Sequence, residues 1–140
     1  MIKKLLLLVV MIVALSACQR REEMVEYVYL IVGESVGFNP FGDGDVRLCV
    51  DSHRRFHNVG SSEIEIAFVK DLVYKIQLIR KVPESGWADS VDAGLQHGYV
   101  ARMKNDDGSY RYCRFYVFNI DYTIESEQYF GIKYQSTVEP

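Results

Sequence analysis

The chain has 140 residues, with 16 Lys or Arg against 19 Asp or Glu, a net charge of −3, and 49% apolar side chains. That length supports one domain with a real core, and the composition is globular rather than disordered or fibrous. Nucleic acid is excluded as a partner, because basic pairs such as Arg20-Arg21 and Arg54-Arg55 are too short to neutralise a run of phosphates.

The chain opens on Lys3 and Lys4, an apolar run of 11 residues from Leu5 to Leu15, and then Leu15-Ser16-Ala17-Cys18. A short charged start, a brief apolar stretch and small residues before a cysteine describe a bacterial lipoprotein signal. The run is too short for a spanning helix, which needs about 20 apolar residues. Residues 1–17 are therefore expected to be cleaved, and Cys18 to carry acyl chains that hold the protein to a bilayer. Removing Lys3 and Lys4 leaves 14 basic against 19 acidic side chains, a net charge of −5. Residues 18–26 read as a lipidated tether, and residues 27–140 as a single domain.

Period-two alternation dominates that domain. Residues 27–32 read as a strand, as do 46–50, where Val46, Leu48 and Val50 alternate with Arg47, Cys49 and Asp51, and 64–68, where Ile64, Ile66 and Phe68 alternate with Glu65 and Ala67. Residues 72–82 fit two patterns: Leu72, Val73, Ile76 and Ile79 suit a helix, and Leu72, Tyr74, Ile76 and Leu78 suit a strand. Strand is the preferred reading. A turn at Pro83-Glu84-Ser85-Gly86 follows. Residues 99–103 and 110–120 flank Asp107-Gly108, a strong hairpin signal because it tolerates positive φ, and a last strand is expected over 129–137. The fold class is all-β: a small antiparallel sandwich or partly open barrel.

With Cys18 acylated, Cys49 and Cys113 form an even pair that an oxidising envelope would bridge, worth about 3–5 kcal/mol in the chain-entropy picture; buried free thiols are the competing reading. Asp43-Gly44-Asp45 lacks the rest of a calcium loop and reads as a polar turn. His53 and His57, four apart, would form a zinc pair on a helix with Asp51 as third ligand, but Arg54 and Arg55 oppose a cation, so an exposed loop is preferred and no metal is expected. Glu63 and Glu65 read as a solvated strand face and His97 as a backbone-bonded histidine. There is no nucleophile elbow, so no catalytic residue, cofactor or enzymatic activity is expected. The most suggestive chemistry is aromatic: Tyr110, Tyr112, Tyr116 and Phe118 fall on one strand face with Arg114 among them. Such a stripe binds glycans or peptides if exposed, and fills a sheet if buried.

The segments Pro83-Glu84-Ser85-Gly86-Trp87-Ala88, Gly98-Tyr99-Val100-Ala101-Arg102, Arg114-Phe115-Tyr116-Val117 and Gly131-Ile132-Lys133-Tyr134-Gln135 resemble a family of uncharacterised lipoproteins from gut Bacteroides and relatives. The resemblance covers residues 68–140 and implies an envelope location and β architecture rather than an activity. It gives Gly86, Gly98 and Gly131 structural roles at turns or strand starts, and makes Trp87 a core plug. The expected function is that of an outer-membrane lipoprotein, on the periplasmic face or the cell surface, that binds a glycan, a peptide or an envelope protein. The alternative is a periplasm-facing structural accessory of an envelope assembly.

Overall fold

The computed structural model describes residues 25–138. The signal segment, Cys18 and most of the tether lie outside the described residues. Among those described, the strands are β1 (Glu26–Ile31), β2 (Leu48–Val50), β3 (Arg55–Asn58), β4 (Ile64–Lys70), β5 (Ser90–Asp92), β6 (Gly98–Lys104), β7 (Tyr110–Tyr122) and β8 (Gln128–Val138). They form a large sheet in the order β1-β8-β7-β6-β4 and a small one in the order β2-β3-β5, with every pairing antiparallel. The protein is all-β, and the sheets do not close into a barrel.

Alternation decides which face each sheet buries. From the large sheet, Ile66, Tyr99, Ala101, Phe115, Val117 and Ile132 point inward; from the small sheet, Leu48, Val50 and Phe56 meet them. Phe56 stands edge-on to both Tyr99 and Phe115, with centroids 5.1 and 5.2 Å away. The Tyr99 hydroxyl then donates to the carbonyl of Asp92 at 2.6 Å and accepts the Gly94 N–H at 3.0 Å, tying β6 to the end of β5.

The β6–β7 hairpin forms as the sequence predicts, with Gly108 at φ +89° and the Asn105 N–H bonded to the Ser109 carbonyl at 2.7 Å. Residues 72–82 do not form the expected strand. The only regular element there is a single 3-10 turn over Ile76–Leu78. Leu72 adopts φ +55°, and the chain folds back over the outer face of the large sheet. Val73, Ile76 and Ile79 pack there against Val100 and Tyr116. The apolar spacing of three was a real signal, satisfied by a tight turn and its flanks.

His53-Arg54-Arg55-Phe56-His57 is neither a helix nor an open loop. Arg54 makes the turn at φ +58°, the Asp51 carboxylate accepts the backbone N–H of His53 and of Arg55, and β3 begins at Arg55. Because β3 is extended, His53 and His57 do not share the helical face a zinc pair needs. Asp43 pairs with Arg111, while Asp45 accepts both the N–H and the hydroxyl of Ser61, so each carboxylate already serves the loop.

Cys49 and Cys113 are buried and unbridged, which corrects the expected disulfide. Cys113 belongs to the core between the sheets. Leu48 and Val50 also face that core, so Cys49 between them points to the opposite side of β2, beneath the backbone of Gly37. The small sheet separates the two thiols. Burial pushes both up in pKa, with Arg47 opposing the shift at Cys49, so neither carries much reactive thiolate. Ellman's reagent should leave both thiols of the folded Cys18→Ala chain unlabelled and react with both after denaturation. Labelling of the native chain, or a faster non-reducing gel band, would contradict this placement.

Candidate functional site

Up to the register shift between Val117 and Asn119, even-numbered residues of β7 project from the outer face of the large sheet, so Tyr110, Tyr112, Arg114, Tyr116 and Phe118 do share one face, whereas Ile120 beyond the shift packs against the core. That face is not open along its length. Tyr116 is only 2% exposed; its hydroxyl donates to the Tyr74 carbonyl at 3.2 Å, and burial raises its pKa. Arg114 gives Nε and Nη2 to Oε1 of Gln135, at 2.8 and 2.6 Å, and Nη1 to the Ile79 carbonyl at 2.8 Å. The 71–82 excursion thus removes the middle of the expected binding stripe, and Arg114 serves as its fastener.

What stays accessible is the end of the stripe nearest the β6–β7 turn. Arg102 on β6 lies opposite Glu65 on β4 and Tyr112 on β7. Its Nε and Nη2 reach Oε1 of Glu65 at 3.0 and 2.9 Å. The guanidinium carbon sits 4.2 Å from the ring centre of Trp87 and 4.3 Å from that of Tyr110, so the cation is held by aromatic rings as well as by the carboxylate. Trp87 is delivered by Ala88, which pairs with Ile66 through bonds of 2.8 and 3.0 Å at the free edge of β4. Trp87 is half-buried on the outer face, not the core plug that the resemblance implies. Gly86 and Gly98 do stand at a turn and a strand start, but Gly131 lies inside β8.

Arg102, Glu65 and Tyr110 line a cleft of about 750 Å³ that wraps the β4 edge and takes in His57 and Asn58 from β3, Asp89 and Ser90, and residues 60–63. Its lining is rich in donors and acceptors of both charge signs. His57 Nδ1 and Trp87 Nε1 are buried without a hydrogen-bond partner among the described residues, a state that buried polar nitrogens rarely keep.

A second cleft, of about 410 Å³, holds His97, Asp92 and Ser90 with Arg55 and Phe68. These residue types evoke acyl-transfer chemistry, but their contacts do not. The Ser90 hydroxyl accepts from Arg55 Nε and Nη2 at 3.3 and 3.0 Å, Asp92 is paired to Arg55 at 2.7 Å, and His97 packs against Phe68. Nothing links His97 to the serine as a base must be linked to its nucleophile. No group of three metal-ligating side chains occurs among the described residues.

Sequence reading found Tyr110 and Tyr112 but missed Arg102, Glu65 and Trp87 as a unit. The available signals were a lone arginine inside the apolar run Gly98–Lys104, and the only tryptophan in the chain. The protein is a two-sheet β domain with a polar cleft at one sheet edge, to which Tyr110 contributes an aromatic ring. No family model, curated protein or solved structure matches the chain.

Proposed function

We propose that this is an envelope lipoprotein, anchored by acyl chains on Cys18, whose β domain binds a glycan in the cleft at the β4 edge. The observation that carries the reading is Arg102, fixed by Trp87, Tyr110 and Glu65 with Nη1 making no hydrogen bond among the described residues. A held guanidinium offers donors to sugar hydroxyls without losing side-chain freedom on binding. Tyr110, 37% exposed, gives a flat ring for a pyranose face, and Asp89 supplies a further polar contact. The resemblance to Bacteroides-type lipoproteins agrees with the envelope location.

Native affinity electrophoresis through gels containing xyloglucan, galactomannan or mucin tests this reading directly. The unsubstituted protein should be retarded by at least one of them. Tyr110→Ala and Arg102→Met should each weaken retention about tenfold, the scale of a lost stacking or charge-assisted contact. Equal retardation of the variants, or none on any polysaccharide or on peptidoglycan sacculi, would sink it.

The burial of Tyr116 favours a second reading, a structural accessory on the periplasmic face that displays no ligand stripe. Protease shaving of intact cells separates the two locations: loss of the domain supports a surface binder, and protection that persists until the outer membrane is opened supports the accessory. The Cys18→Ala variant should leave the membrane fraction in either case.

A further inference from the structure

We infer that the β1 side of the large sheet is a lipid-docking surface, with Tyr27, Tyr29 and Tyr74 lying among the headgroups of an anionic bilayer. The inference rests on the reading of Cys18 as the anchor. Tyr27 and Tyr29 are 67% and 53% exposed, on an edge strand where a soluble surface ordinarily carries charge. The Tyr29 ring meets Tyr27, Phe118 and Tyr129 edge-on, at 6.0, 5.8 and 5.6 Å. A Cβ at Gly131 would lie 2.8 Å from Phe118 and 3.1 Å from Tyr29, so the two rings close over bare backbone and make the patch continuous. Leu72 and Tyr74 add side chains 68% and 67% exposed from the excursion that covers the same face.

Charge favours anionic lipid over a second copy docked through the same patch, which would set two basic segments face to face. Residues 70–82 carry Lys70, Lys75, Arg80 and Lys81 against Asp71 alone, in a protein whose net charge is −3. Lys75 lies over Tyr74, and Lys133 lies 5.0 Å from the Phe118 ring centre. Rings with polar tips beside flexible ammonium groups are the side chains that settle at a membrane interface, the rings at headgroup depth and the lysines on phosphate. The path of the chain agrees. Val25 packs into the outer cluster with Val73 and Ile76, so the polypeptide leaves toward Cys18 from this face. The eight peptide steps from Cys18 to Glu26 reach at most about 28 Å. The ligand cleft lies at the opposite edge of the sheet, on β4, and is left clear.

The test is hydroxyl-radical footprinting, read by mass spectrometry, of the lipidated protein in vesicles of phosphatidylethanolamine and phosphatidylglycerol, against the Cys18→Ser chain free in solution. Oxidation of Tyr27, Tyr29 and Tyr74 should slow by at least about threefold, as rings taken into the headgroup layer lose water. Val36, 72% exposed beside Gly37 over the small sheet, should be unchanged. Equal oxidation in the two samples overturns the proposal, and so does protection in vesicle-free protein that deepens with concentration, which would mark a second copy. If the intact mass shows no acyl group on Cys18, cosedimentation of the unlipidated chain decides. Pelleting with the anionic vesicles, lost in the Tyr27→Ser/Tyr29→Ser variant, keeps the docking surface and discards the anchor. Failure to pellet discards both.

Discussion

Tyr99→Ala should lower the melting temperature by more than about 10 °C, since removing a buried aromatic costs about 3–5 kcal/mol and each kcal/mol moves a domain of this size by roughly 4 °C. Tyr99 is fully buried. Its ring stacks on Phe115 at 5.1 Å and receives the edge of Phe56, so its loss opens a cavity where the two sheets meet. Tyr99→Phe keeps the stack but leaves the Asp92 carbonyl and the Gly94 N–H without their partner, for about 1–3 kcal/mol. Burial pushes the Tyr99 phenol up to about 12 from an ordinary 10.0. A raised folded-state value means that stability is fully present below pH 10.0 and is lost as pH rises toward about 12. Tyr134, also pushed up to about 12 by burial and by Glu26, adds to the same alkaline loss, so Tyr99→Phe should flatten it without abolishing it. Urea unfolding at a series of alkaline pH values measures both effects. A Tyr99→Ala chain that melts within a few degrees of the parent would remove Tyr99 as the joint between the sheets.

Gly60→Ala is the second large effect, and it joins stability to the cleft. A Cβ at Gly60 would stand 2.1 Å from the Asp45 carbonyl oxygen and 2.6 Å from its carbon. Neither backbone can yield easily, because the Ser62 N–H bonds the same Asp45 carbonyl at 3.0 Å while the Ser61 N–H and hydroxyl hold the Asp45 carboxylate at 2.9 and 2.8 Å. Those bonds keep the Asp45 carboxyl below its usual range. Relieving the clash requires moving residues 60–63 away from residues 45 and 46, at about 3 kcal/mol, the upper range for overpacking. The same segment forms one wall of the cleft, so polysaccharide retention should fall together with the melting temperature. A Gly60→Ala protein with parental melting and reduced retention would mean that the loop shifts freely; parental values of both would show that the close approach carries neither fold nor site.

The sequence was legible where apolar residues repeat often enough to establish a period. Val28 and Leu30 in β1, Ile64 and Ile66 in β4, and the long inward series of β6 and β7 each repeat at two, and the observed strands fall within two residues of the expected bounds. β3 and β5 were illegible because each offers one core residue, Phe56 or Val91, between polar neighbours, and one residue has no period. β3 is brought to β2 by a turn built on the Asp51 carboxylate, and β5 adds to the far side of β3, on an inward face completed by distant strands. The aromatic stripe was legible as a face; its cover was not, because that depends on where residues 71–82 fold back. Arg102, Glu65 and Trp87 come from three separate segments, and only the β4–β6 register and the Ala88 bridge bring them together.

The pairing of β1 with β8 also sets a schedule. Glu26 lies opposite Tyr134 and Ile31 opposite Tyr129, so among the described strands β1 has no hydrogen-bonded partner strand until β8 leaves the ribosome or translocation channel. Contacts this distant in sequence form late and slowly. Through most of its synthesis the nascent chain exposes Val28 and Leu30 together with the tyrosines beside them, a segment prone to premature strand pairing. A chain stopped before Gln128 would lack Phe130 and Ile132 from the core and could never seat its own first strand, so interrupted synthesis should yield an aggregating fragment rather than a smaller folded domain.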